Sequence, residues 1–465
     1  MREDKAMLKR FNVKNFMSFY EREDGKSEEF SMIPGKVRNK PDHVIVDGDL
    51  KLLKFAAIYG ANASGKSNFV KALDCMRWIV ATGTTKGFTN KYCRISEKNQ
   101  DLPSYFEVEV VIDNRTYSYG FEVVLRDSKF VSEWLYELQP DGSDILIFER
   151  DVLQKTIRTN EEWQRDEKLK QHLTVYTGDI ETNDRSMFLT YMNRDKTSFY
   201  SLFPETKAIL KVYNWFYSTL NITFPSNAVG YSYFVNSDDL SKASDIISAF
   251  GTGIFKCVPT ELSMEEFYKK IPNGLENKII EDIEDAKLRI SSNKVKINFI
   301  ATISGDLYMV SISKKYGIVC NKISFYHSED GQPYSFGEES DGTQRLWKLM
   351  NLLLSDENET FVIDEIDRCL HPSMTYRFVD TFFKFADKTK KQLIVTTHES
   401  RLMDFDLLRR DEIWFTNKRK SGETDMYSLE EFNTRFDQKI DKAYLEGRYG
   451  GVPVFTSVFP IEEDK

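Results

Sequence analysis

The sequence has few cysteines and no motif that would use them. Its five cysteines (Cys75, Cys93, Cys257, Cys320 and Cys369) are scattered over 465 residues, and no Cys-x-x-Cys pair occurs. An odd, scattered set provides neither a disulfide framework nor paired zinc ligands. We therefore expect a chain that works in the reducing cytoplasm.

Long apolar runs are missing as well. No segment approaches the roughly 18 consecutive apolar residues that a membrane helix needs, and the residues that follow Met1 are charged rather than apolar. These absences predict no secretory signal and no membrane association.

The chain also lacks a basic excess. Its 64 Lys and Arg face 73 Asp and Glu, a net charge of −9. General polyanion binders are usually basic, so any nucleic-acid contact would have to come from a local patch. Two clusters qualify, although a solvated surface is the interpretation we favour: Lys388, Lys390 and Lys391, and Lys418, Arg419 and Lys420.

The remaining composition is globular, with 41% hydrophobic and 29% charged residues. An apolar run at residues 52–59 predicts a buried strand, and residues 68–81 have helical spacing. Alternating runs between residues 104 and 150, joined at one point by Asp113-Asn114, predict an antiparallel β layer. Strands are again predicted at residues 295–303, 307–313 and 317–325.

One segment matches the phosphate-binding pattern G-x-x-x-x-G-K-[ST] in full. Its glycines allow a tight turn, so that backbone N–H groups and the next helix's N-terminus face a phosphate. The lysine would reach the β and γ phosphates of ATP, and the serine hydroxyl would bind Mg²⁺. The residues are Gly60, Ala61, Asn62, Ala63, Ser64, Gly65, Lys66 and Ser67, with Asn68 next.

A second motif is an apolar run, residues 360–363, that ends in Asp364 and Glu365. An aspartate at the end of such a strand can hold Mg²⁺, as a Walker B aspartate does. The glutamate could orient and polarise the attacking water as general base.

A third motif, Ser340-Asp341-Gly342, opens a predicted helix that runs to residue 354. A serine hydroxyl and free helix N–H groups form an anion site. Since the first motif already holds the phosphates, we expect this turn to cover the γ-phosphate bound by a second subunit. A simple helix cap is the alternative.

Two further residues belong to this set. His398 follows an apolar run, residues 392–397, and ligands of α/β sheets gather at such strand ends. It could hydrogen-bond the γ-phosphate or the attacking water, although a structural histidine is the alternative. Asp367 follows the acidic pair closely and could report on the opposite site across a dimer.

The ordered motifs resemble the ABC-type ATPase heads of the RecF/SMC branch. Residues 62–68 look like that branch's N-x-S-G-K-S-N, and Asp364-Glu365 with residues 370–372 look like its Walker B and D-loop. The resemblance covers about the first 80 and the last 130 residues. The Ser340-Asp341-Gly342 motif, which we call the signature turn, differs from that of transporter motors, which have glycine at the position of Asp341. No glutamine that would serve as a Q-loop residue is evident.

A closer resemblance is to the ATPases of bacterial abortive-infection and restriction-linked loci, of the RloA, AbiL and PARIS AriA kind. Residues 105–119, 133–136, 408–415 and 444–450 look like their β layer and C-terminal end. The resemblance implies a homodimer or higher homo-oligomer around ATP, and a separately encoded nuclease or toxin as effector.

The predicted fold is α/β, a P-loop ABC-ATPase head with a mixed sheet, an antiparallel β layer and a helical insertion. Residues 1–154 would form the first lobe, 155–290 a mainly helical insertion, and 291–465 the second lobe. The expected function is an anti-phage defence ATPase. The alternatives are a DNA-repair or chromosome-maintenance ATPase, a transporter motor, and an ATP-dependent binding module with little turnover.

Overall fold

A computed structural model describes most of the chain. It covers residues 6–21, 24–37, 39–225, 238–271, 296–313, 317–354, 358–386, 390–432 and 439–452. The chain divides into two compact units. The first comprises Met1–Thr223, Glu357–Ile366 and Lys390–Lys465, and the second comprises Phe224–Asp356 and Asp367–Thr389.

The described ranges contain both strands and helices in each unit. The strands are β1 (Ala6–Lys14), β2 (Glu28–Ser31), β3 (Val44–Asp47), β4 (Leu50–Leu53), β5 (Phe55–Gly60), β6 (Ser104–Ile112), β7 (Arg115–Val124), β8 (Lys129–Leu138), β9 (Ile145–Asp151), β10 (Thr156–Thr159), β11 (Leu220–Thr223), β12 (Lys256–Leu262), β13 (Lys296–Ile303), β14 (Asp306–Ser313), β15 (Gly317–Tyr326), β16 (Thr360–Ile363), β17 (Gln392–Thr396), β18 (Ile413–Lys418) and β19 (Thr424–Ser428). The helices are α1 (Lys66–Thr82), α2 (Glu167–Ile180), α3 (Phe188–Met192), α4 (Thr197–Leu202), α5 (Lys207–Asn214), α6 (Asp238–Ala249), α7 (Met264–Tyr268), α8 (Asp341–Leu354), α9 (Pro372–Ala386) and α10 (Ile440–Leu445). Among the residues described, no helix is long and apolar enough to cross a lipid bilayer.

The antiparallel layer of the first unit is confirmed. Seven strands pair in the order β10-β9-β8-β7-β6-β1-β2. β6 and β7 are joined by the two residues Asp113 and Asn114, whose φ angles are 50° and 65°. Two successive left-handed residues match the right-handed twist of the flanking strands, and Asp and Asn tolerate that conformation.

The mixed sheet of the first unit carries the phosphate-binding loop and the acidic pair. Its order is β11-β16-β17-β5-β18-β19, and every pair is parallel except β18 with β19. All six residues of β5 are buried, which explains why its sequence is apolar throughout rather than alternating. The predicted 52–59 run is divided at Lys54, so that its first residues pair within β3 and β4.

The second unit has a four-stranded antiparallel sheet of its own, in the order β12-β15-β14-β13. Its apolar face packs on α7 through a cluster that includes Phe267, Tyr308 and Val310. The three strands predicted near residues 295–325 are confirmed, although Val295 lies outside the described residues. Residues 272–290 of the predicted helical insertion also lie outside them.

The boundaries of the two compact units differ from the three predicted domains, 1–154, 155–290 and 291–465. Residues 155–290 do contain helices, but β10 extends the antiparallel sheet and β11 pairs with β16 of the mixed sheet. The boundary between units falls after Thr223, and residues 291–465 are shared between both units. Pairing between strands that are distant in the chain decides these boundaries, and local sequence patterns do not reveal such pairing.

One buried amide ties the two large sheets of the first unit together. Gln392, at the start of β17, is fully buried. Its Nε2 donates to the carbonyl oxygens of Leu8 (2.9 Å) and Leu53 (3.2 Å), and its Oε1 accepts from the Leu8 N–H (2.7 Å). The amide therefore supplies the backbone of β1 with partners where that strand meets the mixed sheet.

The helices that follow the antiparallel layer are held by a buried pair on its strands. Glu133 of β8 lies opposite Arg150 of β9, and each is 1% exposed. The Glu133 carboxylate accepts from the N–H groups of Phe188 and Leu189 and from the Tyr119 hydroxyl. Burial raises the pKa of Glu133, and the charge of Arg150 opposes that shift. Arg150 in turn donates to the carbonyl oxygens of Ile180, Asn183 and Ser186.

We expect Glu133→Ala to lower the free energy of unfolding by about 3–5 kcal/mol, because it removes the main charge that offsets the buried Arg150 and leaves the N–H groups of Phe188 and Leu189 without their acceptor. Glu149→Ala on the neighbouring strand is the matched control, since the charge that Glu149 pairs with belongs to the exposed Arg158. Urea unfolding of both variants tests this, and equal destabilisation of the two would contradict it.

Candidate nucleotide-binding site

The phosphate-binding loop has the backbone that its sequence predicts. It connects the end of β5 to the start of α1, and Ala63 and Gly65 have φ angles of 63° and 122°. A Cβ at Gly60 would lie 2.3 Å from Ser64 Oγ and 2.4 Å from Thr416 Oγ1. A Cβ at Gly65 would lie 2.4 Å from Thr424 Oγ1. Only glycine fits at these two positions.

Lys66 and the start of α1 form a positively polarised pocket wall. The Lys66 ammonium donates to the carbonyl oxygens of Gly60 (2.7 Å) and Ala61 (3.2 Å), so it curls over the loop. The first turn of α1 contains no acidic residue, and Gly65 provides no side-chain cap. This end of the helix is therefore suited to a phosphate, which would complement the helix dipole and the ammonium.

Ser67 and Asp364 are in direct contact. The Ser67 hydroxyl donates to Asp364 Oδ1 over 3.0 Å, although the two residues are 297 positions apart. Asp364 is 4% exposed, and its N–H donates to the Thr223 carbonyl at the end of β11. A hydroxyl and a carboxylate oxygen side by side are ligands that Mg²⁺ prefers, so the pair fits the predicted metal.

Glu365 and His398 lie at the same edge of the sheet. Glu365 follows Asp364 with a φ of 50°, a left-handed conformation that is uncommon for a residue with a side chain. His398 is exposed and comes just after β17, the strand between β16 and β5. Since the three strands are parallel, their carboxyl ends present Lys66, Glu365 and His398 to one edge, where ligands of such sheets bind.

The signature turn of the second unit is exposed and packed against the loop that carries Asp367. Ser340 and Asp341 are exposed, and the Ser340 hydroxyl accepts from the Thr343 N–H at 3.2 Å. A Cβ at Gly342 would lie 2.8 Å from the Cys369 carbonyl oxygen, which explains the glycine. Ser340 therefore caps its own helix, while its outer side remains accessible.

Sequence reasoning missed a set of hydroxyls that support the phosphate-binding loop. The Asn68 amide, predicted as a nucleotide contact, donates to Ser18 Oγ at 2.7 Å. Thr424 Oγ1 lies 2.7 Å from both Ser18 Oγ and the Ser64 carbonyl oxygen. A carbonyl only accepts and a hydroxyl has one proton. Thr424 therefore donates to Ser64 and accepts from Ser18, which completes a chain from Asn68 back to the loop.

Thr416 supports the loop from another strand. Its hydroxyl donates to the Tyr59 carbonyl at 3.2 Å and lies 2.7 Å from Ser64 Oγ. The only sequence signal for Ser18, Thr416 and Thr424 is a hydroxyl near the end of a predicted strand, and that signal is common.

The C-terminal motif, noted in the sequence only as a resemblance, packs beside the loop. A Cβ at Gly451, whose φ is 67°, would lie 3.5 Å from Gly60 Cα. The Tyr444 hydroxyl donates to the Gly451 carbonyl at 3.0 Å, and its ring lies 6.0 Å from that of Tyr59. Burial raises the pKa of Tyr444 to about 12, so the hydroxyl keeps its proton at neutral pH.

The two basic clusters do not form a continuous patch among the described residues. Lys391 is 1% exposed, Lys390 pairs with Asp47, and Arg419 pairs with Asp425. Lys418 and Lys420 are exposed, and Lys388 lies outside the described residues. The solvated-surface interpretation therefore holds for part of the second cluster, whereas Lys391 is a buried residue.

A strand, a glycine-rich loop and a helix with Lys66 and Ser67, next to a strand that ends in Asp364, define a P-loop nucleotide-binding protein of the α/β class. The profile of the family described as "AAA domain, putative AbiEii toxin, Type IV TA system" matches residues 55–186 and 263–404, more than half of the chain. The chain belongs to this family, and it is a P-loop ATPase of the AAA type that is related to abortive-infection proteins. No curated protein matches the chain.

Several solved structures of SMC heads are similar at low identity. An SMC head bound to the C-winged helix domain of ScpA has 12% identity and a TM-score of 0.36, covering 90% of this chain and 97% of its own. The SMC head of Thermotoga maritima has 15% identity and a TM-score of 0.33, and the match covers 90% of this chain and 98% of that structure's chain. An SMC head with an extended coiled coil, bound to the C-terminal domain of ScpA from Pyrococcus furiosus, has 14% identity and a TM-score of 0.31. The match covers 95% of this chain and 100% of that structure's chain. Because scores below 0.5 establish no common fold, the assignment rests on the sheet order and the family match.

We expect Thr424→Val to weaken nucleotide binding by on the order of threefold to tenfold, because it removes the hydrogen bonds of the Thr424 hydroxyl with the Ser64 carbonyl and with the Ser18 hydroxyl. Thr424→Ser, which keeps the hydroxyl, should bind as the wild type does. Titration with a fluorescent ATP analogue measures both, and equal affinities for the Val and Ser variants would contradict the supporting role.

Proposed function

We propose that this protein is an ATPase that closes as a dimer around ATP and Mg²⁺ and controls a separately encoded effector, a nuclease or toxin, in bacterial defence against phage. The contact between Ser67 and Asp364 supports the proposal most strongly. It joins the phosphate-binding loop to the neighbouring strand through two oxygen ligands placed as Mg²⁺ requires.

The residues at the sheet edge have separate roles in this proposal. The loop from Gly60 to Asn68 holds the phosphates, with Lys66 at the β and γ phosphates. Mg²⁺ held by Ser67 and Asp364 would neutralise charge on the phosphate oxygens. Glu365 orients the attacking water as general base, and His398 donates a hydrogen bond to the γ-phosphate.

The second half of each site comes from the other chain. Ser340 and Asp341 are exposed at the start of α8, a 14-residue helix whose N-terminal N–H groups can bind a phosphate. Gly342 packs on the loop that carries Asp367. The signature turn and Asp367 would therefore face the partner chain together. A chain whose own loop already holds the phosphates has no need of a second phosphate site except across a dimer.

The defence role is favoured over chromosome maintenance by what the described chain contains. SMC-type and repair ATPases usually carry very long coiled-coil arms, whereas the longest helix in the described ranges is α1, with 17 residues. The family description, which names an abortive-infection toxin, supports the same choice. We expect the effector to be another polypeptide that acts with this chain in the cytoplasm.

We expect Glu365→Gln to keep ATP binding, to reduce ATP hydrolysis by at least about 100-fold, and to accumulate as an ATP-bound dimer. Loss of the general base stops turnover, while the contacts that close the dimer remain. Light scattering with and without ATP and Mg²⁺ measures the dimer, and phosphate release measures turnover.

Two variants serve as controls for that experiment. Ser340→Arg, added to Glu365→Gln, should bind ATP as a monomer, because the bulky cation obstructs the facing site. Lys66→Ala should lose ATP binding itself. Wild-type turnover in Glu365→Gln would refute the role of Glu365, and an ATP-dependent dimer in the Ser340→Arg variant would refute the composite site.

The effector is tested by affinity purification of the tagged chain, expressed with its neighbouring genes intact. We expect a nuclease-like or toxin-like polypeptide at constant stoichiometry that is released on phage infection, and no cleavage of DNA or RNA by the purified chain alone. Copurification of DNA that stimulates ATP hydrolysis, with no protein partner, would favour the repair function instead.

A further inference from the structure

Thr396, the last residue of β17, contacts both acidic residues of the site. Its hydroxyl donates to Asp364 Oδ1 over 2.6 Å, and the Glu365 N–H donates to the same hydroxyl over 2.8 Å. Thr396 is fully buried. These contacts lie within the first unit and join the strand that precedes His398 to the strand that ends in Asp364.

The directions of these two hydrogen bonds follow from the groups themselves. An ionised carboxylate only accepts and a backbone N–H only donates. The single proton of the Thr396 hydroxyl therefore points to Asp364, and an oxygen lone pair points to Glu365. One hydroxyl thus sets the orientation of the carboxylate and the position of the next peptide group.

The backbone at Glu365 needs such a support. Its φ of 50° lies in a region that residues with a side chain seldom occupy. Thr396 holds the peptide groups on both sides of the Glu365 Cα: the Glu365 N–H donates to its hydroxyl, and the Ile366 N–H donates to its carbonyl at 3.1 Å. Thr396 therefore fixes the backbone from which the Glu365 side chain projects.

We propose that Thr396 is a positioning residue for ATP hydrolysis, which holds the metal-binding carboxylate of Asp364 and aims the Glu365 carboxylate at the attacking water. The inference rests on the proposed ATPase function. It assigns Thr396 no contact with nucleotide, so its loss should affect turnover and Mg²⁺ dependence more than nucleotide affinity.

Thr396→Val removes the hydroxyl at nearly constant volume, and Thr396→Ser restores it. Thr360→Val is the matched control. Thr360 is also fully buried and begins β16, the strand that ends next to Asp364, but its hydroxyl contacts only Gln392 Oε1, at 3.2 Å, among the hydrogen bonds described. If Thr396→Val does not fold, Thr396→Ala replaces it.

We expect Thr396→Val to lower kcat by about 10–100-fold and to raise the Mg²⁺ concentration for half-maximal turnover, because outer partners of metal ligands have effects of this size. The KM for ATP and the affinity for a fluorescent ATP analogue should stay within about threefold of the wild type. Thr396→Ser should recover most of kcat, and Thr360→Val should leave both kcat and the Mg²⁺ dependence unchanged.

The outcomes separate this inference from the function on which it rests. If the wild type hydrolyses ATP but Thr396→Val matches Thr360→Val in kcat and Mg²⁺ dependence, the positioning role is refuted and the ATPase function stands. If nucleotide affinity falls as much as kcat, or Thr396→Ser does not recover, Thr396 is only structural. If the wild type neither binds nor hydrolyses ATP, the proposed function itself is refuted.

Discussion

The parallel pairing of β16, β17 and β5 is the constraint on which the site depends. Val362, Ile394 and Ala56 lie side by side across these strands, although they come from distant parts of the chain. Since parallel strands end at the same edge, this register places the phosphate-binding loop, the acidic pair and His398 together. Gln392 secures the start of β17 against β1, so the antiparallel layer helps to hold that register.

Short hydroxyl side chains do most of the fine positioning at this edge. Thr416 and Thr424 support the loop around Ser64, and Thr396 holds the backbone and carboxylate of the acidic pair. A buried hydroxyl has one proton and few rotamers, so it can bind one acceptor and one donor in a defined geometry. Such a contact fixes a main-chain position without adding charge next to the phosphates.

In the second unit, a hydroxyl side chain also fixes the backbone of the signature turn. Ser340 caps α8 while its outer side stays exposed, so the cap and the proposed contact with a partner are compatible. The close approach of Gly342 to the Cys369 carbonyl links this turn to the loop of Asp367. The two loops are therefore closely packed at this point.

The sequence by itself determined the features that consecutive residues encode. The loop from Gly60 to Ser67, the apolar strand before Asp364 and the Asp113-Asn114 hairpin are local patterns, and the structure has the expected elements at all three. Only the tertiary structure decided the unit boundaries and the roles of Ser18, Thr396, Thr416 and Thr424. A lone hydroxyl acquires its role from the strand that pairs beside it, and pairing between segments hundreds of residues apart leaves no short-range pattern.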